Sequence, residues 1–307
     1  MAHGIMFHHF HGHGHPEVQG SISGEELAKI VEFLGDQLLD ADEWLRRATA
    51  GSLEGKEICL TFDDNLRCQY DIALPILEKS GINAFWFIYT GPLEGIPGKF
   101  EIYRHFRTTR FPDVDDFYRE FYSYALKTEH SREIQEKLLT FSPSRYLSQF
   151  PFYTEQDRRF RFIRDEILGA PRYDAIMAQM MEAYGYHPDD TISNLWMDKT
   201  SITSLFHKGH IIGLHSHTHP HNMGGLTARE QKDEYQKNYD IITRLTGDAP
   251  VCMAHPNNSY NGITLSILES LGITIGFRSN AGPVKERTRF EWPREDHANL
   301  IQQINGS

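Results

Sequence analysis

Residues 57–65 read EICLTFDDN, a β-prone run that stops on two adjacent carboxylates, Asp63 and Asp64. Neighbouring anions repel unless a cation, a proton or water separates them. A lone pair of this kind is most simply a solvated acidic turn. Here, however, the pattern recurs. Residues 4–7 stop at His8-His9, 210–214 at His215, 251–253 at Ala254-His255-Pro256, 273–277 at Arg278, and 289–292 at Pro293-Arg294-Glu295-Asp296-His297. Each is a short strand-like run closed by polar or charged residues.

Helical patterns separate these runs. Ser23-Gly24-Glu25-Glu26 and Thr227-Ala228-Arg229-Glu230 are capping boxes that open helices toward Leu34 and Thr246. Residues 69–80 and 263–271 end at Gly81 and Gly272, where a helix is readily terminated. Strand-helix alternation argues for a parallel sheet covered on both faces. Functional-looking residues at the C-terminal ends of many strands argue for a barrel, where those ends converge on one mouth. The expected fold class is therefore α/β, an irregular (β/α) barrel. Residues 92–194 break the rhythm, being aromatic and charged, helix-like at 115–126 and 174–184, and without a clear strand. The expected organisation is a barrel of residues 1–91 and 195–307 with 92–194 as a mainly helical insertion near its mouth.

A net charge of −11 argues against nucleic acid or an anionic membrane surface as partner. The apolar stretches are too short to span a bilayer. The first residues, MAHGIMFHHFHGHGHPEV, lack a basic segment followed by an apolar one, so no secretory signal is read and a cytoplasmic location is expected. Three cysteines (Cys59, Cys68, Cys252) at no metal-ligand spacing read as free thiols.

Histidine is the compositional outlier, with 17 copies. Six lie within residues 3–15, interleaved with Gly, Phe and Ile rather than in the unbroken run of a purification tag. The other cluster is His215-Ser216-His217-Thr218-His219-Pro220-His221. His215 and His219 are four apart, a spacing that on a helical turn puts both imidazoles on one face, where they can share a metal. A third ligand has to come from elsewhere, and a carboxylate at another strand end is the natural candidate.

With these residues in place, the chain resembles the polysaccharide deacetylase family (carbohydrate esterase family 4, the NodB-homology domain). The family's first motif, TFDD usually followed by Gly, is matched by Thr61-Phe62-Asp63-Asp64 with Asn65 in the Gly position. Its second, His-Ser/Thr-x-x-His before Pro, is matched by His215 to Pro220. The "alPiLe" helix that follows the first motif is matched by Ala73-Leu74-Pro75-Ile76-Leu77-Glu78. The resemblance implies a NodB-type barrel, with Asp64, His215 and His219 binding a divalent metal and Asp63 as catalytic base. Two histidines and one carboxylate suit Zn²⁺ carrying a water, which Asp63 would deprotonate.

The later motifs depart from the family pattern. Where many members have Arg-x-Pro-Tyr, this chain has Ala254-His255-Pro256-Asn257. The main-chain N–H of Asn257 can still stabilise an oxyanion, and Arg294 is the candidate for the missing guanidinium, with a surface ion pair to Glu295 or Asp296 as the alternative. The family's general-acid histidine has no matching Leu-x-His setting. His297 is the candidate by position, and His8, His9 and His255 are alternatives from other strand ends. His217 and His221 flank the ligand pair and read as supporting or solvated residues. In the insertion, the runs 103–107 (YRHFR) and 158–164 (RRFRFIR) mix basic and aromatic residues. Phosphate or sugar contacts use those types, although solvated helix faces are the simpler reading.

The resulting expectation is a metal-dependent amidohydrolase that removes an N-acyl group, acetyl being favoured, from an amino sugar or a nucleotide- or lipid-linked sugar precursor of surface polysaccharide. Rival readings are a deacylase or deformylase on a non-sugar amide, a non-haem iron enzyme, and a non-catalytic carbohydrate-binding relative. A free base beside the metal counts against the last. Oligomeric state is not encoded in any feature of the sequence.

Overall fold

The computed structural model describes residues 1–148, 153–284 and 287–306, so residues 149–152 of the expected insertion lie outside the described residues. The chain divides into two compact units, one of residues 1–98 and 192–307 and the other of residues 99–191.

In the first unit the described residues form seven parallel strands: β1 (His3–Phe7), β2 (Ile58–Asp63), β3 (Phe85–Ile88), β4 (Ile211–Leu214), β5 (Cys252–Ala254), β6 (Ile275–Phe277) and β7 (Arg294–Asp296). Their order across the sheet is β6-β5-β4-β3-β2-β1-β7. Helices α1 (Gly24–Leu34) and α2 (Ala41–Ala50) connect β1 to β2, and α3 (Leu74–Ser80) connects β2 to β3. The second unit holds α4 (Lys99–Arg110), α5 (Val114–Ala125), α6 (Ser131–Leu138), α7 (Glu155–Phe162) and α8 (Gly169–Ala183). The first unit resumes with α9 (Ile192–Leu195) and α10 (Lys199–His207) before β4. Then α11 (Ala228–Thr246) follows β4, α12 (Gly262–Ser270) follows β5, and α13 (His297–Gly306) follows β7.

Residues 289–292 were expected to form a strand, but the strand proper is Arg294–Asp296, paired with β1. Pro293 separates the two segments because it has no N–H to donate. Its carbonyl accepts from Gly4 N at 3.0 Å, while Trp292 bridges Phe277 of β6 on the other side. The segment thus spans the gap between the two sheet edges and nearly closes the barrel.

Both expected capping boxes are present, Ser23 with Glu26 and Thr227 with Glu230. The helix after β2 is less regular: residues 69–73 form a π-turn ahead of α3, with Leu74 N donating to Gln69 O. Pro75 cannot donate to the carbonyl four residues back, which favours this wider turn. The helix still ends at Gly81, with φ 66°.

The barrel interior is apolar below and polar above. Cys59, Phe85, Phe87, Cys252, Ala254, Ile275 and Phe277 pack together with Trp44 and Ala41 of α2. Trp44 lies 5.1 Å from both the Phe277 and Trp292 rings, plugging the N-terminal end. Gly213 is required by packing rather than by a turn: a Cβ there would meet the Phe87 ring at 2.6 Å and Cys252 Sγ at 2.7 Å.

The helical unit has its own core, in which Phe117, Phe121 and Phe160 meet at ring distances of 4.9–6.2 Å. Thr154 and Asp157 form a capping box at the start of α7, and the Tyr118 hydroxyl donates to the Asp157 carboxylate.

Candidate active site

Strand register brings the functional residues to one level. Phe7 is opposite Phe62, Asp63 opposite Phe87, and Ile88 opposite Leu214. The residues that follow, His8, Asp64 and His215, therefore emerge side by side. Successive side chains on a strand face opposite ways, so Cys59, Thr61 and Asp63 share the inward face while Phe62 stacks outside on Trp86 at 4.5 Å. Arg294 starts two levels lower, opposite Gly4. A Cβ on Gly4 would lie 3.2 Å from Arg294 Cγ and 3.0 Å from Thr61 Cγ2, so this glycine makes room for the arginine stem.

Arg294 is buried, and its guanidinium clasps Asp63 through both oxygens, Nη1 to Oδ1 and Nη2 to Oδ2, each at 2.7 Å. Its Nε donates to Arg278 O at 2.6 Å, and Nη1 also reaches Thr61 Oγ1 at 3.1 Å. The surface ion pair considered from sequence is not formed: Glu295 accepts from Asn299, and Asp296 Oδ1 accepts from Ala298 N. Burial alone would raise the Asp63 pKa, but Arg294, helped by His215, holds it below the ordinary carboxylate value.

Asp64 turns away from the strand in a left-handed conformation, φ 77°, followed by Asn65 at 57°. Asn tolerates this region well, which explains its place in this turn. Asp64 Oδ1 lies 3.3 Å from His215 Nε2 and 3.3 Å from His219 Nε2. The helical turn expected at 215–219 is not formed: the segment is a loop with Ser216 at φ 66° and His219 at φ 55°. Convergence comes from the folded-back loop, with His219 N donating to Ser216 Oγ at 3.1 Å. Asn257 and Asn258 are left-handed too, so six of the eight non-glycine residues with positive φ among the described residues lie at these strand ends. Strain is concentrated where side chains must be aimed.

His215 Nδ1 is 2.9 Å from Ala254 O. A carbonyl can only accept, so Nδ1 carries the proton and Nε2 offers its lone pair to the cluster. Burial opposes ionisation of Asp64, but the neighbouring His219 and His215 draw its pKa well below the usual range. One donor atom from each of Asp64, His215 and His219 lies within 4.8 Å of the others, and Asp64 Oδ1 is buried with no hydrogen-bond partner. A buried carboxylate oxygen without a partner and the Nε2 atoms of two imidazoles, converging in this way, fit the donor set of a divalent cation.

The remaining candidates divide. His8 Nε2 stands 3.9 Å from Asp63 Oδ2 and 3.8 Å from Asp64 Oδ2, with the ring partly exposed. His297, the first choice for general acid, is directed elsewhere. It is buried at the start of α13, with Nδ1 and Nε2 each 3.2 Å from a main-chain carbonyl (Met6 and Gly20) and its ring stacked on Phe7. Neither nitrogen is left for a substrate. His255 is buried with Nε2 on Phe290 O at 2.9 Å, and burial lowers its pKa to about 3. His9 contributes its carbonyl to Ile22 N, His217 Nδ1 meets Thr90 Oγ1 at 3.0 Å, and His221 is exposed. Asn257 is exposed after buried Pro256, and among the described residues its N–H meets no acceptor.

Three supporting residues escaped the sequence reading. Gln69 Nε2 donates to Asp63 O at 2.6 Å and to His8 O at 2.8 Å, tying two strand ends together. On α11, the Glu234 carboxylate accepts from His217 N and Thr218 N, and Asn238 Oδ1 accepts from His215 N at 2.9 Å. Glu234 and Asn238 are four apart, on one side of the helix. Gln231, Tyr235 and Asn238 put polar groups on its buried stripe, a signal legible in the sequence.

A family model described as polysaccharide deacetylase matches residues 175–276, which include His215 and His219. A search of curated proteins gives no match. Among solved structures, the chain resembles the Streptococcus pyogenes deacetylase PplD at 15% identity and TM-score 0.57, covering 99% of this chain and 97% of that one. IcaB from Ammonifex degensii is similar at 13% identity and TM-score 0.56, with 99% and 96% covered. A de-N-acetylase from Aggregatibacter actinomycetemcomitans gives 12% and 0.56, with 99% of both chains covered. At these identities the structures speak for the fold. The matched family model, together with the two motifs assembled at one barrel mouth, makes this chain similar to polysaccharide deacetylases, hydrolases that act on carbon–nitrogen bonds.

Proposed function

We propose that the protein hydrolyses the N-acetyl group of an amino sugar or of a sugar precursor of surface polysaccharide, in a metal-dependent reaction. The observation that carries this reading is the division of the two adjacent aspartates. Asp63 is clasped by Arg294, while Asp64 faces His215 and His219 with a buried, unpartnered oxygen. Asp64, His215 and His219 would hold the ion, for which Zn²⁺ suits the donor set; when bound, it supplies Lewis-acid chemistry at an amide carbonyl.

The chain's own groups account for the proton transfers. Asp63, kept ionised by Arg294, accepts a proton from the attacking water as the C–O bond forms. The main-chain N–H of Asn257 would donate to the developing oxyanion. His8, partly exposed beside both aspartates, gives a proton to the leaving nitrogen as the C–N bond breaks, yielding acetate and a free amine. His8 takes this role in place of His297, whose nitrogens are held by carbonyls. A reducing compartment suits three buried thiols, none of them in a disulfide, and no helix among the described residues is long and apolar enough to cross a membrane.

The test is elemental analysis of the purified chain together with acetate release from N-acetylated sugars, sugar nucleotides and oligosaccharides. Stoichiometric Zn²⁺ with acetate release from one of these classes supports the reading. A metal-loaded protein that frees acetate from none of them overturns it.

A further inference from the structure

His8 stands 3.9 Å from Asp63 and 3.8 Å from Asp64, beyond hydrogen-bonding distance of either carboxylate. Its place therefore depends on the main chain that carries it, the histidine-rich segment after β1. That segment is fastened at three points by residues that follow the two aspartates. Gln69 Nε2 donates to His8 O at 2.8 Å, Cys68 Sγ accepts from Phe10 N at 3.3 Å, and Asp71 Oδ2 meets His15 Nε2 at 2.9 Å. Between the second and third points the chain reverses. Gly12 N and His15 N each donate to the other residue's carbonyl at 3.0 Å, and Gly12, His13 and Gly14 all have positive φ. Gln69 and Asp71 both belong to the π-turn of residues 69–73, an irregularity common at functional sites.

The third point is itself anchored. Arg67 Nε donates to both Asp71 oxygens, at 2.9 and 3.0 Å, and its Nη1 reaches Ser201 Oγ at 3.2 Å. Ser201 Oγ donates in turn to Oδ1 of Asp198, the N-cap of α10, at 2.7 Å. Burial opposes ionisation of Asp71, but Arg67 and His15 hold its pKa below the ordinary value. An ionised carboxylate only accepts, so His15 Nε2 carries the proton between them. The His15 side chain is 13% exposed against 32% for His8, so the far end of the segment is the better packed.

We propose that Asp71 and His15 are positioning residues, a clasp that closes residues 8–15 onto the π-turn and so keeps the His8 ring at the two aspartates. They touch no reacting group and act only through His8, so their role rests on His8 being the proton donor proposed above. A displacement of about 1 Å at a reacting group can cost about 100-fold in rate, which is why a tether remote from the chemistry matters.

Two measurements on the metal-loaded full chain test the clasp. Amide hydrogen exchange, read by mass spectrometry, should be about 10-fold faster over residues 8–15 in Asp71→Ala and in His15→Ala, the scale of one lost hydrogen bond to a charged group. Unchanged exchange there overturns the clasp. The second measurement is a double-mutant cycle on kcat, with an N-acetylglucosamine oligosaccharide or sugar nucleotide, whichever the wild type deacetylates. Each single variant should lower kcat about 10-fold with KM little changed, less than the about 100-fold of His8→Ala. Added to His8→Ala, neither should cost anything further, because the donor they position is already gone. Losses that add in full overturn the positioning role, as does wild-type kcat in both single variants. His15→Ala keeps the Arg67–Asp71 pair and decides the matter if Asp71→Ala does not fold. If the wild type frees acetate from neither sugar, the deacetylase reading fails, while the exchange rates still decide the clasp.

Discussion

The barrel interior and the loop layer above it treat two adjacent aspartates in opposite ways. Below, Asp63 is saturated: both oxygens are held by Arg294, itself anchored on Thr61 and the Arg278 carbonyl. Above, Asp64 sits among imidazole lone pairs, with one oxygen that nothing in the described chain satisfies. Residue type therefore does not decide the role of a carboxylate; its surroundings do. A fixed cation keeps Asp63 ionised, and the absence of one leaves Asp64 open to a ligand.

Breaking the lower half should have the largest effect. Asp63→Asn should retain metal while kcat falls about 10²–10⁴-fold, the usual contribution of a general base. It also leaves Arg294 buried opposite a neutral amide. We therefore expect a loss of stability approaching the about 3–5 kcal/mol of a broken buried pair, seen as a lower urea midpoint. Asp64→Asn should do the reverse, weakening metal affinity by more than the about 10- to 100-fold that accompanies loss of an outer partner, with activity regained at high added metal. Identical metal content and rescue in the two variants would show that the halves are not distinct.

The next largest effect should separate two histidines. His8→Ala should lower kcat about 10²-fold, consistent with loss of a general acid. His297→Ala should leave kcat near wild type and lower the melting midpoint, because its ring packs on Phe7. The opposite outcome would return the acid role to His297.

Arg294→Lys sharpens the comparison by keeping the charge and removing the fork. Loss of one charge-assisted hydrogen bond, about 1.5–3 kcal/mol, should appear as a drop in kcat with KM little changed. Wild-type turnover in this variant would show that the second contact is dispensable.

The last effect, spread over a pH range rather than confined to one contact, is a pH slope in stability. His255 and His210 are buried, and burial lowers their pKa values to about 3 and about 4. The unfolded chain takes up protons near the ordinary histidine value of about 6.5, so between that pH and about 4 it binds more protons than the folded protein does. Stability should therefore fall as pH is lowered through this window, by at most about 1.4 kcal/mol per pH unit for each histidine. Asp63 and Asp64 add to the loss only at lower pH, because their depressed values keep them ionised until then. Chemical denaturation at pH 7 and pH 5 should show the decline, and a flat profile would mean these rings are protonated in the folded state.

The helices around the barrel were legible because their signals are local. Ser23 with Glu26 and Thr227 with Glu230 close capping boxes within one turn, and Gly81 ends its helix by its own backbone freedom. Thr61 to Asp64 and His215 to His219 were legible for a similar reason, since each motif lies within a few consecutive residues. Other features depended on contacts between segments far apart in the chain. Residues 289–292 read as a strand, and only pairing on both sides of Pro293 shows that the segment spans two sheet edges instead. His297 had the right position in sequence and the wrong surroundings in space, while His8 gained its place from the register of β1 against β2. Gly4 carries no chemistry of its own, yet it clears the path by which Arg294 reaches Asp63. The sequence by itself determined which residues could do the chemistry, because side-chain type and local spacing are written in it. Only the tertiary structure decided which of them meet, because register and burial arise from the whole barrel closing at once.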